Sequence, residues 1–424
     1  MRKRWRIGAA VVLLLTVLLG ACGKEEPAPL PSSTPFPSPR GLRIAVASDL
    51  HFDPDNTDKD SGLGQTAYNP ELLDALLRDA RRQGAQILLL TGDLVNGGRI
   101  HRHEQLSAKL RAAEEAGLAV CVLPSNHDLA PIKQTDFAAL YAGFGYDEAF
   151  SRDPGSLSYC VVRGGLMLLM MDTAGYGAGA VDLPGAKAQE GSGAYFTEDT
   201  LRWVRAMLQE AERQSLHVLS AGHYNLLPEI SRQPDMDGYY LENGTAFADL
   251  LRSFYVPLYL SGHQHIRAVY QENGLTELLT EYLLAYPTGY TILDVTEKEI
   301  RCLPRRIDVD AWAAETGQTD PILLDFAAWQ QGNLRQYAEE NVRYMAGKNP
   351  LTKRELQDAA DFFYAVMDAF WHGELYMRRT ELEGMRGYDA FFHCAEGFAY
   401  GWWLKDLIEY SSPLQRGFTL HWPD

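Results

Sequence analysis

Five short clusters in this 424-residue chain gather side chains of the kinds that bind metal ions. They are Asp49-Leu50-His51, Gly92-Asp93, Asn126-His127-Asp128, Gly222-His223 and Gly262-His263-Gln264-His265. Carboxylates, imidazoles and one amide suit borderline divalent metals such as Zn, Mn or Fe. A single histidine at the end of an apolar run is most often a hydrogen-bonded structural residue. Asp49, His51, Asp93, Asn126, His223, His263 and His265 together reverse that expectation. Seven donors are too many for one tetrahedral ion. They suit two ions that share a bridging carboxylate.

Each cluster ends an apolar run that reads as a strand. The runs are "LRIAVASD", "AQILLLTGD", "LAVCVLPSNHD", "HVLSAGHY" and "VPLYLSGHQH", with "LMLLMMDT" as a further strand. Helical patterns stand between them. In "NPELLDALLRDARRQG", Leu72, Leu73, Leu76 and Leu77 share one helical face, and Asn69 and Pro70 are start signals. Residues 103–116, 197–213 and 245–254 read as further helices. Fully apolar strands alternating with helices predict an α/β architecture whose sheets are covered on both sides. Functional groups in such folds collect beyond the carboxyl ends of the strands. Residues 266–305 carry further β-type runs, "YTILDV" and "EIRCLP", which complete a second sheet.

The order of these five clusters, each after a strand, resembles the calcineurin-like metallophosphoesterase superfamily over residues 42 to about 300. The resemblance implies a four-layer β-sandwich flanked by helices. It implies that Asp49, His51 and His265 bind one metal, that Asn126, His223 and His263 bind the second, and that Asp93 bridges them. It implies two divalent or mixed-valence ions (Mn, Fe or Zn). A hydroxide shared by the two ions would attack phosphorus in line, its pKa lowered by the cations. His127 would steady the transition state or protonate the leaving oxygen, and Asp128 would orient His127. Two departures stand out. Ser125 occupies a position where the family often has Gly, and its hydroxyl has a chance to hydrogen-bond nearby. Asn96-Gly97 stands where some phosphatases carry Asp-Arg, which argues against the protein-phosphatase subfamily. A phosphodiester substrate is the expectation, supported by similarity to exported bacterial enzymes of the cyclic-nucleotide phosphodiesterase-like group. The alternatives are a phosphomonoesterase, or a metal-dependent binding or scaffolding protein on the same fold.

The first residues lie outside this pattern. "MRKRWR" is basic, "IGAAVVLLLTVLLG" is apolar, and Leu19-Gly20-Ala21-Cys22 resembles a bacterial lipobox. Residues 1–21 therefore read as a lipoprotein signal peptide, with Cys22 the lipidation site. A lipid-modified Cys22 would hold the protein to a membrane without spanning it. Residues 22–41, rich in Pro and Ser, read as an extended linker. The expected location is outside the cytoplasm, on the outer face of the bacterial cytoplasmic membrane or on a periplasm-facing membrane. The formal net charge is −17, and cleavage after residue 21 would remove only basic charge. That argues against nucleic-acid binding, which needs a basic footprint. Cys121, Cys160, Cys302 and Cys394 form no close pair and read mostly as buried thiols.

The metallophosphoesterase domain is assigned to residues 42–305, and residues 306–424 to an all-helical extension. Three long helical candidates begin near Asp320, Thr352 and Gly387. Thr352 with Glu355 forms a capping-box signature. Trp371, Phe391, Phe392, Trp402 and Trp403 read as a packing face, and His372 and His393 as structural. His103 and Tyr224 are candidate substrate contacts. The acidic loop with Asp53, Asp55, Asp58 and Asp60 does not match an EF-hand and reads as solvated.

Overall fold

A computed structural model of the chain describes residues 41–57, 66–129, 131–175, 181–183, 194–227 and 240–423, all within one compact unit. The expected signal peptide, Cys22, most of the expected linker, Asp58 and Asp60 lie outside the described residues. In chain order the first elements are β1 (Leu42–Ala47), α1 (Asn69–Arg82), β2 (Ile87–Leu90), α2 (Ile100–Glu115), β3 (Ala119–Val122) and α3 (Gln134–Leu140). Then come β4 (Ser151–Arg152), β5 (Tyr159–Arg163), β6 (Leu166–Met170), α4 (Glu198–Arg213), β7 (His217–Ala221), α5 (Gly244–Ser253) and β8 (Leu258–Ser261). They are followed by β9 (Ala268–Glu272), β10 (Leu275–Leu279), β11 (Gly289–Val295) and β12 (Glu299–Arg306). The remainder comprises α6 (Val309–Thr316), α7 (Phe326–Ala346), α8 (Lys353–Trp371), α9 (Leu375–Glu383), α10 (Gly387–Cys394), α11 (Ala399–Glu409) and β13 (Phe418–His421).

The strands form two sheets, in the orders β13-β12-β11-β1-β2-β3 and β4-β5-β6-β7-β8-β10-β9. β1, β2 and β3 run parallel, as do β6, β7 and β8. Apart from the buried Ser220 of β7, their central residues are apolar because both faces are covered. One core joins the sheets, with Ile44, Leu88 and Val120 of the first and Leu168, Leu219, Leu260 and Leu278 of the second. Leu72, Leu73, Leu76 and Leu77 of α1 and Leu106 and Leu110 of α2 bury their faces in the same core. The strands predicted before the five clusters all form, each ending short of its polar residues. The polar clusters are therefore the loops at the carboxyl ends of parallel strands.

A second core lies among the helices. Leu334 and Val342 of α7, Phe362, Phe363 and Phe370 of α8, Phe391 of α10 and Leu404 of α11 pack together. Trp371, Phe392, Trp402 and Trp403 cover it as partly buried neighbours. The Thr352–Glu355 capping box starts α8: Glu355 N donates to Thr352 Oγ1 at 3.3 Å, and Thr352 N to Glu355 Oε2 at 2.8 Å. The third predicted helix is two, α10 and α11, separated at Gly397, whose φ of +79° suits glycine.

The chain's end is not helical. β13 pairs antiparallel with β12 as the edge of the first sheet, and Trp422 Nε1 donates to Thr296 O at 2.8 Å. The second core also reaches back to the sheets, since Tyr286 belongs to it and Ile266 packs against it. Among the described residues no helix is long and apolar enough to cross a membrane. All four described cysteines are buried and unpaired.

Candidate dinuclear metal centre

The motif loops continue the strand pairing for a few residues and then turn sharply. Asp49 N donates to Gly92 O at 3.1 Å and His51 N to Asp93 O at 2.8 Å, extending the β1–β2 pairing. Gly262 N donates to His223 O at 3.0 Å, extending β7–β8. Asn69, buried at the start of α1, clasps the first loop through Nδ2 bonds to Leu50 O and His51 O at 2.8 and 2.9 Å. The turns place Asp49, His51, Asp93, His263 and His265 at positive φ, from 40° to 70°. Non-glycine residues seldom adopt that conformation, and it collects at functional sites. Gly92, at φ +105°, has no alternative: a Cβ there would lie 2.7 Å from His223 Nδ1 and 2.9 Å from Ser125 Cβ.

The loops of the two sheets meet. His263 N donates to Asp49 Oδ2 at 3.1 Å, and His223 Nδ1 donates to Thr91 O at 2.9 Å. The second bond fixes the His223 tautomer, leaving its Nε2 lone pair for a ligand. Two donor groups result. Asp49, His51, Asp93 and His265 offer atoms all within 4.8 Å of one another, as do Asp93, His223 and His263. In the first, His51 Nε2 lies 3.2 Å from His265 Nε2 and 3.3 Å from Asp93 Oδ2, and His265 Nε2 lies 3.3 Å from Asp49 Oδ1. In the second, His223 Nε2 lies 3.4 Å from Asp93 Oδ2. Bonds of about 2.1 Å to a common ion put its ligands roughly 3–4 Å apart, so these separations fit.

Asp93 is common to both groups and its two oxygens differ. Oδ1 is bound by the protein, accepting from Ser125 Oγ and from His127 N at 3.2 Å. Oδ2 faces His51, His223 and His127. The Ser125 hydroxyl also accepts from Asp93 N at 2.6 Å. Ser125 therefore aims the shared carboxylate.

The site lacks partners where a cation would supply them. Asp49 Oδ1, Asn126 Oδ1 and His223 Nε2 are buried without a hydrogen bond, and each belongs to an expected ligand. Buried polar atoms are rarely left so. Electrostatics agree. Burial alone would raise Asp49, but His223 and His265 hold it at about 2. Burial would also raise Asp93, and His223, His51 and His127 hold it well below the carboxylate range. Burial lowers His51 to about 4, so its lone pair is free. Burial would lower His223 too, but Asp93 and Asp49 lift it to about 9. The two carboxylates demand positive charge, and without metal a proton on His223 supplies it. The residues present fit two metal ions.

His127 is not in either donor group. Its side chain is 44% exposed, and its ring meets His51 edge-on at 4.7 Å. Three expected roles need correction. Asp128 does not orient the His127 ring. Its carboxylate accepts from Val95 N and Ser125 N, both at 2.9 Å, and braces the turn. Burial, then the charge of Asp93, lifts it to about 7. His103 is fully buried, bonded to Tyr141 Oη at 2.8 Å and Asp128 O at 3.1 Å, and cannot meet substrate. Tyr224 is also buried and stacks on His263 at 4.1 Å, backing a ligand. Of the acidic loop, Asp53 is buried and paired with Arg102 at 2.7 Å.

Two residues that sequence reasoning missed frame the site. Glu277 of β10, fully buried, accepts from Leu226 N at 3.1 Å, Leu227 N at 2.6 Å, Ser261 Oγ at 2.7 Å and Asn225 Nδ2 at 3.4 Å. Asn225 Oδ1 accepts from Gln264 Nε2 at 2.5 Å. One carboxylate thus ties the His223 loop to the His263–His265 loop. Tyr282 stacks on His265 at 4.4 Å and meets His51 edge-on at 5.3 Å. Neither stands in a spacing pattern that would reveal it.

Comparison with known proteins follows the two-part architecture. The model of the calcineurin-like phosphoesterase family matches residues 42–267. A model described as the C-terminal domain of cyclic nucleotide phosphodiesterase matches residues 308–407. No curated protein matches. A dimetal phosphatase from Danio rerio aligns at 15% identity with a TM-score of 0.50, over 62% of this chain and 96% of its own. A purple acid phosphatase from yellow lupin (Lupinus luteus) seeds aligns at 13% identity with a TM-score of 0.44, over 64% of this chain and 53% of its own.

Proposed function

The chain belongs to the calcineurin-like phosphoesterases and is a phosphoester hydrolase, and from that premise we propose that its substrate is a phosphodiester, cleaved outside the cytoplasm. The observation that carries the diester reading is the second match. A region resembling the C-terminal domain of cyclic nucleotide phosphodiesterase, residues 308–407, includes α8, whose core takes in Tyr286 and Ile266 beside the metal loops. Charge supports it. Among the described residues, only imidazoles form ion pairs with Asp49 and Asp93. A diester monoanion needs less added positive charge than a monoester dianion.

Asp49, His51 and His265 would hold one ion, Asn126, His223 and His263 the other, and the Asp93 carboxylate would serve both. When bound, Mn, Fe or Zn ions supply Lewis acidity that activates water at neutral pH and offsets charge on the phosphoryl oxygens. Ser125 Oγ and His127 N hold Asp93 Oδ1 and so set the direction of Oδ2. His127, 44% exposed beside the cluster, is the imidazole placed to donate a proton to the leaving oxygen. The location rests on residues 1–22, with lipid on Cys22 as the membrane attachment.

The test is turnover by manganese-loaded protein on bis(p-nitrophenyl) phosphate, a cyclic nucleotide and p-nitrophenyl phosphate. The diester reading expects kcat/KM for a diester at least tenfold above that for the monoester. A preference for p-nitrophenyl phosphate would overturn it. For location, Cys22→Ser should move the protein out of the membrane fraction, and an unchanged distribution would exclude the lipid anchor.

A further inference from the structure

The residues between β10 and β11 form the wall of the metal centre on the His265 side. Tyr282 backs onto Ser48, its parallel bridge partner and the residue before Asp49. Its ring lies flat on His265, 23° from parallel, and edge-on to His51 at 88°. It is partly exposed, and among the described residues its hydroxyl has no hydrogen-bond partner. The phenol thus lies on two metal-ligand rings with its hydroxyl open to solvent rather than spent on a protein partner.

This wall is held from outside the phosphoesterase fold. Tyr286 Oη donates to Asp368 of α8 at 2.8 Å, and Gln330 Nε2 of α7 donates to Thr288 Oγ1 at 2.7 Å. Beyond His265, the buried Arg267 donates through Nε to Gln415 O at 2.9 Å, while its Nη1 bond to Thr291 Oγ1 of β11, at 2.6 Å, lies within the phosphoesterase domain. The helical region and Gln415, just before β13, therefore grip both flanks of the His265–Tyr282 stack. Side chains locked in this way keep a fixed position toward a ligand.

We propose that Tyr282 is a substrate-contacting residue whose hydroxyl donates to a non-bridging phosphoryl oxygen, and that the C-terminal helical region holds it in place to do so. His127 and Tyr282 both meet the His51 ring, so a phosphoryl group at the metals would have a proton source for its leaving oxygen and a separate donor for another oxygen. The inference rests on the phosphoesterase reading of the site but not on the diester preference.

The test is Tyr282→Phe in the full-length chain, which keeps the ring on His265 and removes only the donor. Binding of inorganic phosphate to the manganese-loaded protein, read by calorimetry, should weaken about tenfold, the scale of one hydrogen bond to a charged acceptor. The kcat/KM for bis(p-nitrophenyl) phosphate should fall by a similar factor. Manganese stoichiometry and the dependence of rate on leaving-group pKa should be unchanged. Tyr286→Phe, which removes the hydrogen bond to Asp368 of α8 and keeps the ring in the helical core, should give a smaller loss of the same kind. Phosphate affinity and kcat/KM within twofold of the unmodified protein would overturn the proposal. So would a steeper leaving-group dependence, which would make Tyr282 an acid, or a loss of manganese, which would make it a support for His265. Phosphate binding is read whether or not diesters prove to be preferred, so the two readings fail separately.

Discussion

Glu277 offers a quantitative test of how the metal loops are held. The carboxyl is fully buried on β10 and receives donors from Leu226, Leu227, Ser261 and Asn225. Burial raises it from 4.5 to about 7, against the lowering effect of those donors. The fold thus favours the protonated form. The stability this group contributes is fully present below pH 4.5 and is lost as pH rises through about 7. The full difference corresponds to roughly 3 kcal/mol. Glu277→Gln removes the charge but keeps an acceptor for Leu227 N, and the Ser261 hydroxyl can turn to accept from the new amide. Urea unfolding of metal-free protein at pH 5 and pH 8 would follow both chains. The difference between them isolates Glu277, because Asp128, His223 and other titrating groups are common to both. The stability of the Gln variant relative to the unmodified protein should rise by roughly 2–3 kcal/mol between the two pH values. Parallel pH profiles would refute the reasoning, because the donors would then outweigh burial and the carboxylate would be ionised throughout.

Other outcomes follow from the same geometry. His127→Ala should keep both metals and lose about 10²–10⁴ in kcat on substrates with poor leaving groups, with a smaller loss for p-nitrophenyl esters; metal content and a leaving-group series check this. Ser125→Ala should leave Asp93 N and Oδ1 short of a buried partner and cost roughly 2–3 kcal/mol in metal-free stability, read by urea unfolding. A chain ending at residue 306 should fail to accumulate as folded protein, because it bares Tyr286, Ile266 and the β12 edge. A soluble fragment with unchanged kinetics would show instead that the helical region is an independent module.

The candidate donor cluster was legible because metal-binding chemistry constrains residue type and position together. Asp, His and Asn at the ends of apolar runs mark strand ends, and five such ends in order carry more information than any one. The direction of a side chain within a cluster was not legible. Asp128 follows His127 in sequence, yet the tight turn points its carboxylate at backbone N–H groups of Val95 and Ser125. His103 stands at the start of a predicted helix close to Asp93, but α2 begins three residues earlier, at Ile100, and turns its ring inward against Tyr141. Glu277 sits in an apolar strand and Tyr282 in an unpatterned connection, so only tertiary contact shows what they do. β13 is four residues long and follows a helical region, and its pairing with β12 is a long-range contact that local periodicity does not encode.

The central claim is that the Asp93 carboxylate would serve two metal ions, held by donor groups drawn from both sheets. Electron paramagnetic resonance of the manganese-loaded protein, with metal content on the same sample, addresses it most directly. The account predicts two manganese ions per chain with an exchange-coupled signal, and loss of that coupling in Asp93→Asn. One ion per chain, or two uncoupled ions unaffected by Asp93→Asn, would contradict it.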